Sequence, residues 1–329
     1  MGRCKTNASK DVVKSEKSSE TGIAPKRFSK IPIQFQNQKY IIPPLFHNKW
    51  SDKNADRTLL NDTIIEFYMC EYMRLKVYDE NARARYHLFH TFFYSRLRVN
   101  FGQYFKEGPP RRSEFAIHYN RMFQQKVKPS AILQKEILVI PVHNNKPKHW
   151  FLVLVHNPSG AIRRRIVDSK EVKSGNRRSL LTKQIAEYAR FEEAGECRVV
   201  IMDSLLNSKK YQSDLSKAHS HAFDYIRLWL QMAASACDEE LMSSRVRKVV
   251  CESLPKQHND VDCGVYMLAY AEYFTWFNTE WMKTPTESLA YLKMEDDLKS
   301  LLNTEEPRLR LDKLFQKMKD PHPLQESAL

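Results

Sequence analysis

The middle of the chain alternates between short apolar runs and long polar stretches. Ile137-Leu138-Val139-Ile140-Pro141-Val142 is a compact run rich in β-formers, and Trp150 to Val155 is another. Both predict strands. The segment joining them, 143–149, is short and polar, so the two strands are expected side by side and antiparallel. Cys197 to Met202 returns to β character and ends at Asp203. Between these runs, 156–196 carries Asn157-Pro158-Ser159-Gly160, Arg163-Arg164-Arg165 and many other charges, with a helix over Leu180 to Phe191 at most. Little in it demands burial, and it reads as an insertion between two core strands.

Helical spacing appears on either side. Asn61 or Asp62 caps a helix that buries Ile64, Ile65, Phe67, Tyr68, Tyr72 and Met73. Leu88, Phe89, Phe92, Phe93, Tyr94 and Leu97 form a second apolar block, read as core. Residues 211–236, with Phe223, Ile226, Leu228, Trp229, Leu230 and Met232, predict an amphipathic helix. Ser244 to Val250 resembles a strand with a basic outer face. Cys263 then opens a helix running to about Trp276. Residues 31–45 look extended, with Ile31, Ile33 and Phe35 alternating before Pro43-Pro44 stops them. Residues 1–30 are polar, rich in Lys and Ser, and predict a disordered basic tail. The last forty residues look helical and charged, ending in a Pro-containing tail. The mixture is α+β, with one domain over about 31–305, an insertion at 156–196 and a C-terminal tail at 306–329.

Composition removes several functions. The 8 glycines include no phosphate-cradling motif, neither G-x-x-x-x-G-K-[ST] nor G-x-G-x-x-G. No apolar stretch approaches the ~20 residues a membrane span needs, and the N-terminus lacks the apolar core of a signal peptide. Met1-Gly2-Arg3-Cys4-Lys5-Thr6 fits the loose myristoylation pattern at Gly2, which is too short to carry an assignment. The 6 cysteines are scattered without a C-x-x-C pair, the usage of a reduced intracellular protein. A net charge of +14 favours acidic partners, protein or nucleic acid, without choosing between them. No finger, helix-turn-helix or RNP signature supports specific nucleic-acid binding. His87-x-x-His90 and His219-Ser220-His221 have no Cys or Glu at ligand spacing, so neither a metal nor another cofactor is expected.

The remaining chemistry is concentrated in Lys256-Gln257-His258-Asn259-Asp260-Val261-Asp262-Cys263-Gly264-Val265-Tyr266. It places a cysteine where turn-forming residues give way to an apolar helix. A helix N-terminus carries partial positive charge, which favours a thiolate. Gln257, six positions upstream, brings an amide donor within reach of the same point. His149 opens one strand and Asp203 closes another. Cysteine, imidazole, carboxylate and amide donor are the parts of a cysteine-nucleophile acyl-transfer site. Asp168, in Ile166-Val167-Asp168-Ser169, competes with Asp203 for the carboxylate role. Asp203 is preferred because its strand is longer and more apolar.

Four blocks, Leu60-Asn61-Asp62, His149-Trp150, Met202-Asp203-Ser204-Leu205 and Gln257 with Asp262-Cys263-Gly264-Val265, occur in this order over about 59–275. In order and content they resemble the ubiquitin-like-protein proteases, the sentrin/SUMO-specific peptidases of the adenain-like cysteine protease clan. The resemblance implies a papain-like α+β fold with a central, mostly antiparallel sheet flanked by helices. It makes Cys263 the nucleophile, His149 its base, Asp203 the orienting carboxylate and Gln257 the oxyanion donor. Trp150 becomes one wall of the slot for the substrate's Gly-Gly tail, with Leu59 where many members have a covering tryptophan and Asp62 at the substrate face. The implied partners are a SUMO-like protein and its conjugates, and the implied place is the nucleus. The long insertion before Asp203 resembles the branch that trims poly-SUMO chains. A NEDD8-like substrate, a non-catalytic modifier binder and a nucleic-acid binder remain the alternatives.

Overall fold

An apolar run without polar alternation suits a strand covered on both faces, and three such runs form the centre of this molecule. A computed structural model of the chain describes residues 31–35, 38–42, 59–69, 73, 79–104, 108, 110–123, 128–164 and 195–294. The elements begin with a hairpin of β1 (Ile31–Phe35) and β2 (Gln38–Ile42), paired antiparallel. Then come α1 (Asp62–Glu66), α2 (Glu80–Arg85), β3 (Tyr86–Leu88) and α3 (Phe92–Phe101). They are followed by α4 (Phe115–Met122), α5 (Pro129–Leu133), β4 (Ile137–Asn145) and β5 (Lys148–His156). After β6 (Ile162–Arg164) and β7 (Cys197–Met202) come the long α6 (Gln212–Ser235), β8 (Glu239–Leu241), β9 (Val246–Val250) and α7 (Cys263–Glu272).

Five strands make the main sheet, in the order β3-β4-β5-β7-β9. Its centre, β4-β5-β7, is antiparallel, and one parallel strand is added at each edge. Successive side chains along a strand face opposite ways, and here both faces are packed. Trp150, Leu152, Leu154, Val139 and Met202 pack with α1 and α7 on one side. Phe151, Val153, Val155, Leu138 and Ile201 pack with α3 and α6 on the other.

Several sequence expectations shift in detail. β4 and β5 extend until only Lys146 and Pro147 separate them, because Asn144 and Asn145 still pair with His149 and Lys148. Asn61, rather than Asp62, caps α1, its Oδ1 accepting the Ile64 N–H at 3.0 Å. Phe92 is not core: it is 57% exposed, while Phe89, Phe93 and Leu97 are buried. The start of the expected insertion is packed rather than loose. Pro158 to Ala161 form a short turn with Ala161 fully buried, and β6 pairs with β8. Arg163, in the basic cluster, reaches Glu240 at 3.1 Å. The tail at 1–30, Asp168, the helix expected over Leu180 to Phe191 and the C-terminal segment beyond 294 lie outside the described residues.

Candidate active site

The antiparallel register of β5 and β7 sets Leu152 opposite Met202. The first residues of β5 and the exit of β7 therefore share one edge of the sheet. His149 and Asp203 occupy that edge, and their side chains meet with His149 Nε2 2.6 Å from Asp203 Oδ1. Neither side chain has any exposed surface. Burying such a pair is costly unless its hydrogen-bonding capacity is filled, and Asp203 is well supplied. Oδ1 also accepts the Leu205 backbone N–H at 2.8 Å, and Oδ2 lies 2.7 Å from His219 Nε2.

These contacts set the charges. Burial alone would raise the Asp203 carboxyl, but His149, and then His219, hold it well below the usual carboxylate range. Burial alone would also push the His149 imidazole down. The Asp203 charge and hydrogen bond, with smaller contributions from the Cys263 sulfur, outweigh burial and hold it at about 9. Nε2 is occupied by Asp203, so Nδ1 is the ring nitrogen left for proton exchange. Nδ1 is buried and makes no protein hydrogen bond of normal geometry.

Cys263 is the first residue of α7, and its approach is tied down by local chemistry. Asn259 Oδ1 accepts the backbone N–H groups of Val261 and Asp262, each at 2.9 Å, while its Nδ2 donates to Asp262 Oδ2 at 2.6 Å. Tyr266 and Tyr270, further along α7, donate their hydroxyls to the carbonyls of Lys256 and Pro255. Gly264 lets the first turn of α7 close on Leu60: a Cβ at 264 would stand 2.9 Å from the Leu60 Cβ. Cys263 itself is only 1% exposed, so the thiol lies beneath the surface of the cleft.

Gln257 is fixed to the residue after Asp203. Its backbone N–H donates to the Ser204 carbonyl at 3.0 Å, and its Oε1 accepts the Ser204 hydroxyl at 2.5 Å. Its Nε2 donates to the Asn259 carbonyl at 2.5 Å. An amide nitrogen carries two hydrogens, so a second N–H remains for another acceptor.

Two grooves flank the pair. One, of about 430 Å³, is lined by Leu59, Leu60, Asn61, Asp62, His143 and Trp150, among others. Trp150 donates its indole N–H to the Leu60 carbonyl at 2.9 Å, which pins this rim to β5. Leu59 stands 37% exposed at the rim. The other groove, of about 450 Å³, is lined by Ser204, Leu205, Lys256, Gln257 and Asn259, among others. Trp150 follows His149 and Ser204 follows Asp203, so the pair stands between the two openings.

The structure thus brings His149, Asp203 and Cys263 together, with Gln257 anchored beside Asp203, and sets Trp150, Leu59 and Asp62 around one groove. His219 is the residue sequence reasoning missed. As half of a histidine doublet it gives no metal-ligand signal in sequence, yet it faces inward while His221 is exposed. Its helical spacing from Leu215, Ala222 and Ile226, all buried, was the available signal. His90 is exposed and stacks on Phe92, with Nδ1 3.2 Å from Glu66. Among the described residues, no three His, Cys, Asp or Glu side chains are grouped as a metal site would require.

Residues 58–304 match the Ulp1 protease family, C-terminal catalytic domain. The chain is similar to ubiquitin-like-specific protease 2 of Schizosaccharomyces pombe, 28% identical over 236 residues covering 70% of this chain and 32% of that protein. It is also similar to human sentrin-specific protease 7, 23% identical over 240 residues covering 65% of this chain and 22% of that protein. The chain therefore spans less than a third of the length of these curated relatives. A solved structure titled "Crystal structure of the de-sumoylating protease" shares the fold with a TM-score of 0.53 at 17% identity, covering 88% of this chain and 91% of that one.

Proposed function

Because the chain belongs to the Ulp1 protease family, we propose that it hydrolyses the peptide or isopeptide bond following the C-terminal Gly-Gly of a SUMO-like modifier. The observation that carries this reading is the buried His149–Asp203 pair, 2.6 Å apart, set against a cysteine at a helix N-terminus. The names of the relatives, ubiquitin-like-specific and sentrin-specific proteases, support the substrate class.

The reaction follows from the placement of the groups. The modifier's tail lies in the groove between Trp150 and Leu59, with Asp62 at its mouth. The Cys263 thiolate adds to the glycine carbonyl, and the carbonyl π pair moves onto oxygen. The free N–H of Gln257 and backbone N–H groups at the start of α7 stabilise that oxyanion. As the C–N bond breaks, His149 gives its Nδ1 proton to the leaving amine, which departs on the Ser204–Gln257 side. Water then adds to the thioester, giving a proton to His149, and expels the thiolate with the modifier's free carboxylate. Asp203 remains ionised and holds the imidazole in the tautomer that leaves Nδ1 directed to the sulfur. No metal or organic cofactor takes part.

The domain is assigned to about 31–305. Trimming of poly-SUMO chains and a nuclear location extend the reading, supported by the long segment before Asp203 and the basic N-terminal region. The test is a panel of modifiers ending in a C-terminal propargylamide. A SUMO probe is expected to form a covalent adduct that Cys263→Ala abolishes. An adduct with a NEDD8 probe alone would reassign the substrate. Binding without any adduct would make the chain a modifier binder, not a protease.

A further inference from the structure

Asp203 is held from two sides by histidines on different elements. His149 comes from β5, at the cleft, and His219 comes from α6, which packs on the face of the sheet that carries Phe151. We infer that His219 is a positioning residue for the reaction, a second imidazole that locks the plane of the Asp203 carboxylate and thereby fixes the orientation of His149. The inference rests on the protease reading above, which it deepens.

The division of contacts on the carboxylate carries the argument. Oδ1 is shared between His149 Nε2 at 2.6 Å and the Leu205 N–H at 2.8 Å. Oδ2 is 2.7 Å from His219 Nε2. A carboxylate can rotate about its last side-chain torsion, which has a broad, shallow preference. Two donors on one oxygen do not prevent that rotation, but a third donor on the other oxygen does. The side chains of His219 and Asp203 have 4% and 0% of their surface exposed, so water is not a ready replacement. Phe151 completes the frame between the rings. Its ring is inclined 26° to that of His149 at 6.3 Å, and it meets His219 edge-on at 5.1 Å. His219 touches no reacting atom; it acts through Asp203.

Two substitutions separate positioning from mere packing. His219→Phe keeps a planar ring against Phe151 and removes the donor. His219→Gln gives up the ring and keeps an N–H near the Nε2 position. His219→Phe is expected to lower kcat about tenfold, the loss of one hydrogen bond to a charged group, with KM unchanged. His219→Gln is expected to recover most of that loss. The same pair is read independently of turnover by ¹⁵N-histidine NMR. The His149 Nε2 proton, hydrogen-bonded to Asp203, should keep its position in His219→Gln and move or broaden in His219→Phe. Wild-type kcat and an unmoved His149 signal in His219→Phe would overturn the inference, as would equal losses in the two variants. If His219→Phe fails to fold, His219→Met, which also removes the donor, takes its place: a lowered kcat with a moved His149 signal supports the inference, and wild-type values of both overturn it. Absence of cleavage by the wild-type protein would instead strike the protease reading, and the NMR signal would still report on His219.

Discussion

At the scale of single residues, the site is governed by a histidine held positive and a carboxylate held negative, both out of water. The consequence for stability has a definite sign. His149 has its pKa raised from 6.5 to about 9 in the folded protein. Its contribution is complete below pH 6.5 and is lost as pH rises through about 9. Asp203 is depressed, so its contribution is present above the ordinary carboxylate range and disappears only on acidification. Thermal unfolding followed from pH 6 to 10 should therefore show a decline on the alkaline side on the order of a few kcal/mol. His149→Gln should flatten it, and an equal decline in that variant would show that another group is responsible. The meeting of His149 with Asp203, 54 positions apart, was legible because the one opens an apolar run and the other closes one. His219 was not, since a histidine inside a helix gives no sign in sequence of which carboxylate it faces. The bonds from Gln257 to Ser204 and Asn259 were equally hidden, because they depend on how two irregular loops cross.

Among the elements, the apolar runs announced the strands well. β4, β5, β7, α6 and α7 all lie where periodicity placed them. What the pattern missed are the short pieces whose order comes from partners distant in sequence: β3 beside β4, and β6 beside β8. Three-residue strands carry too little periodicity to be recognised. The element contact with most bearing on the site is α7 against the rim at Leu60. Gly264→Ala would drive a methyl group into the Leu60 Cβ, a main-chain-fixed atom that cannot swing aside. Overpacking of this kind costs about 1–3 kcal/mol. The rim is also tied to Trp150, so the displacement should reach the groove. Urea denaturation should show the loss of stability and the propargylamide probe should react more slowly. A Gly264→Ala protein with wild-type behaviour in both would contradict the close packing described here.

At the scale of the whole molecule, a sheet packed on both faces brings the groove at Trp150, the His149–Asp203 pair and α6 together. The chain as a whole is strongly basic, with a net charge of +14. A modifier with an acidic face is drawn to such a chain over a distance that shrinks with ionic strength, about 10 Å at 0.1 M salt. The second-order rate of cleavage should fall as salt is raised, with the change in kcat/KM rather than kcat. A salt-independent kcat/KM would exclude electrostatic docking. The near-complete covering of Cys263 has a consequence for the protein at rest. Among the described cysteines Cys237 is half-buried while Cys263 is buried, so peroxide and small electrophiles should modify Cys237 the faster of the two. A thiol so covered is sheltered from oxidants in bulk solvent.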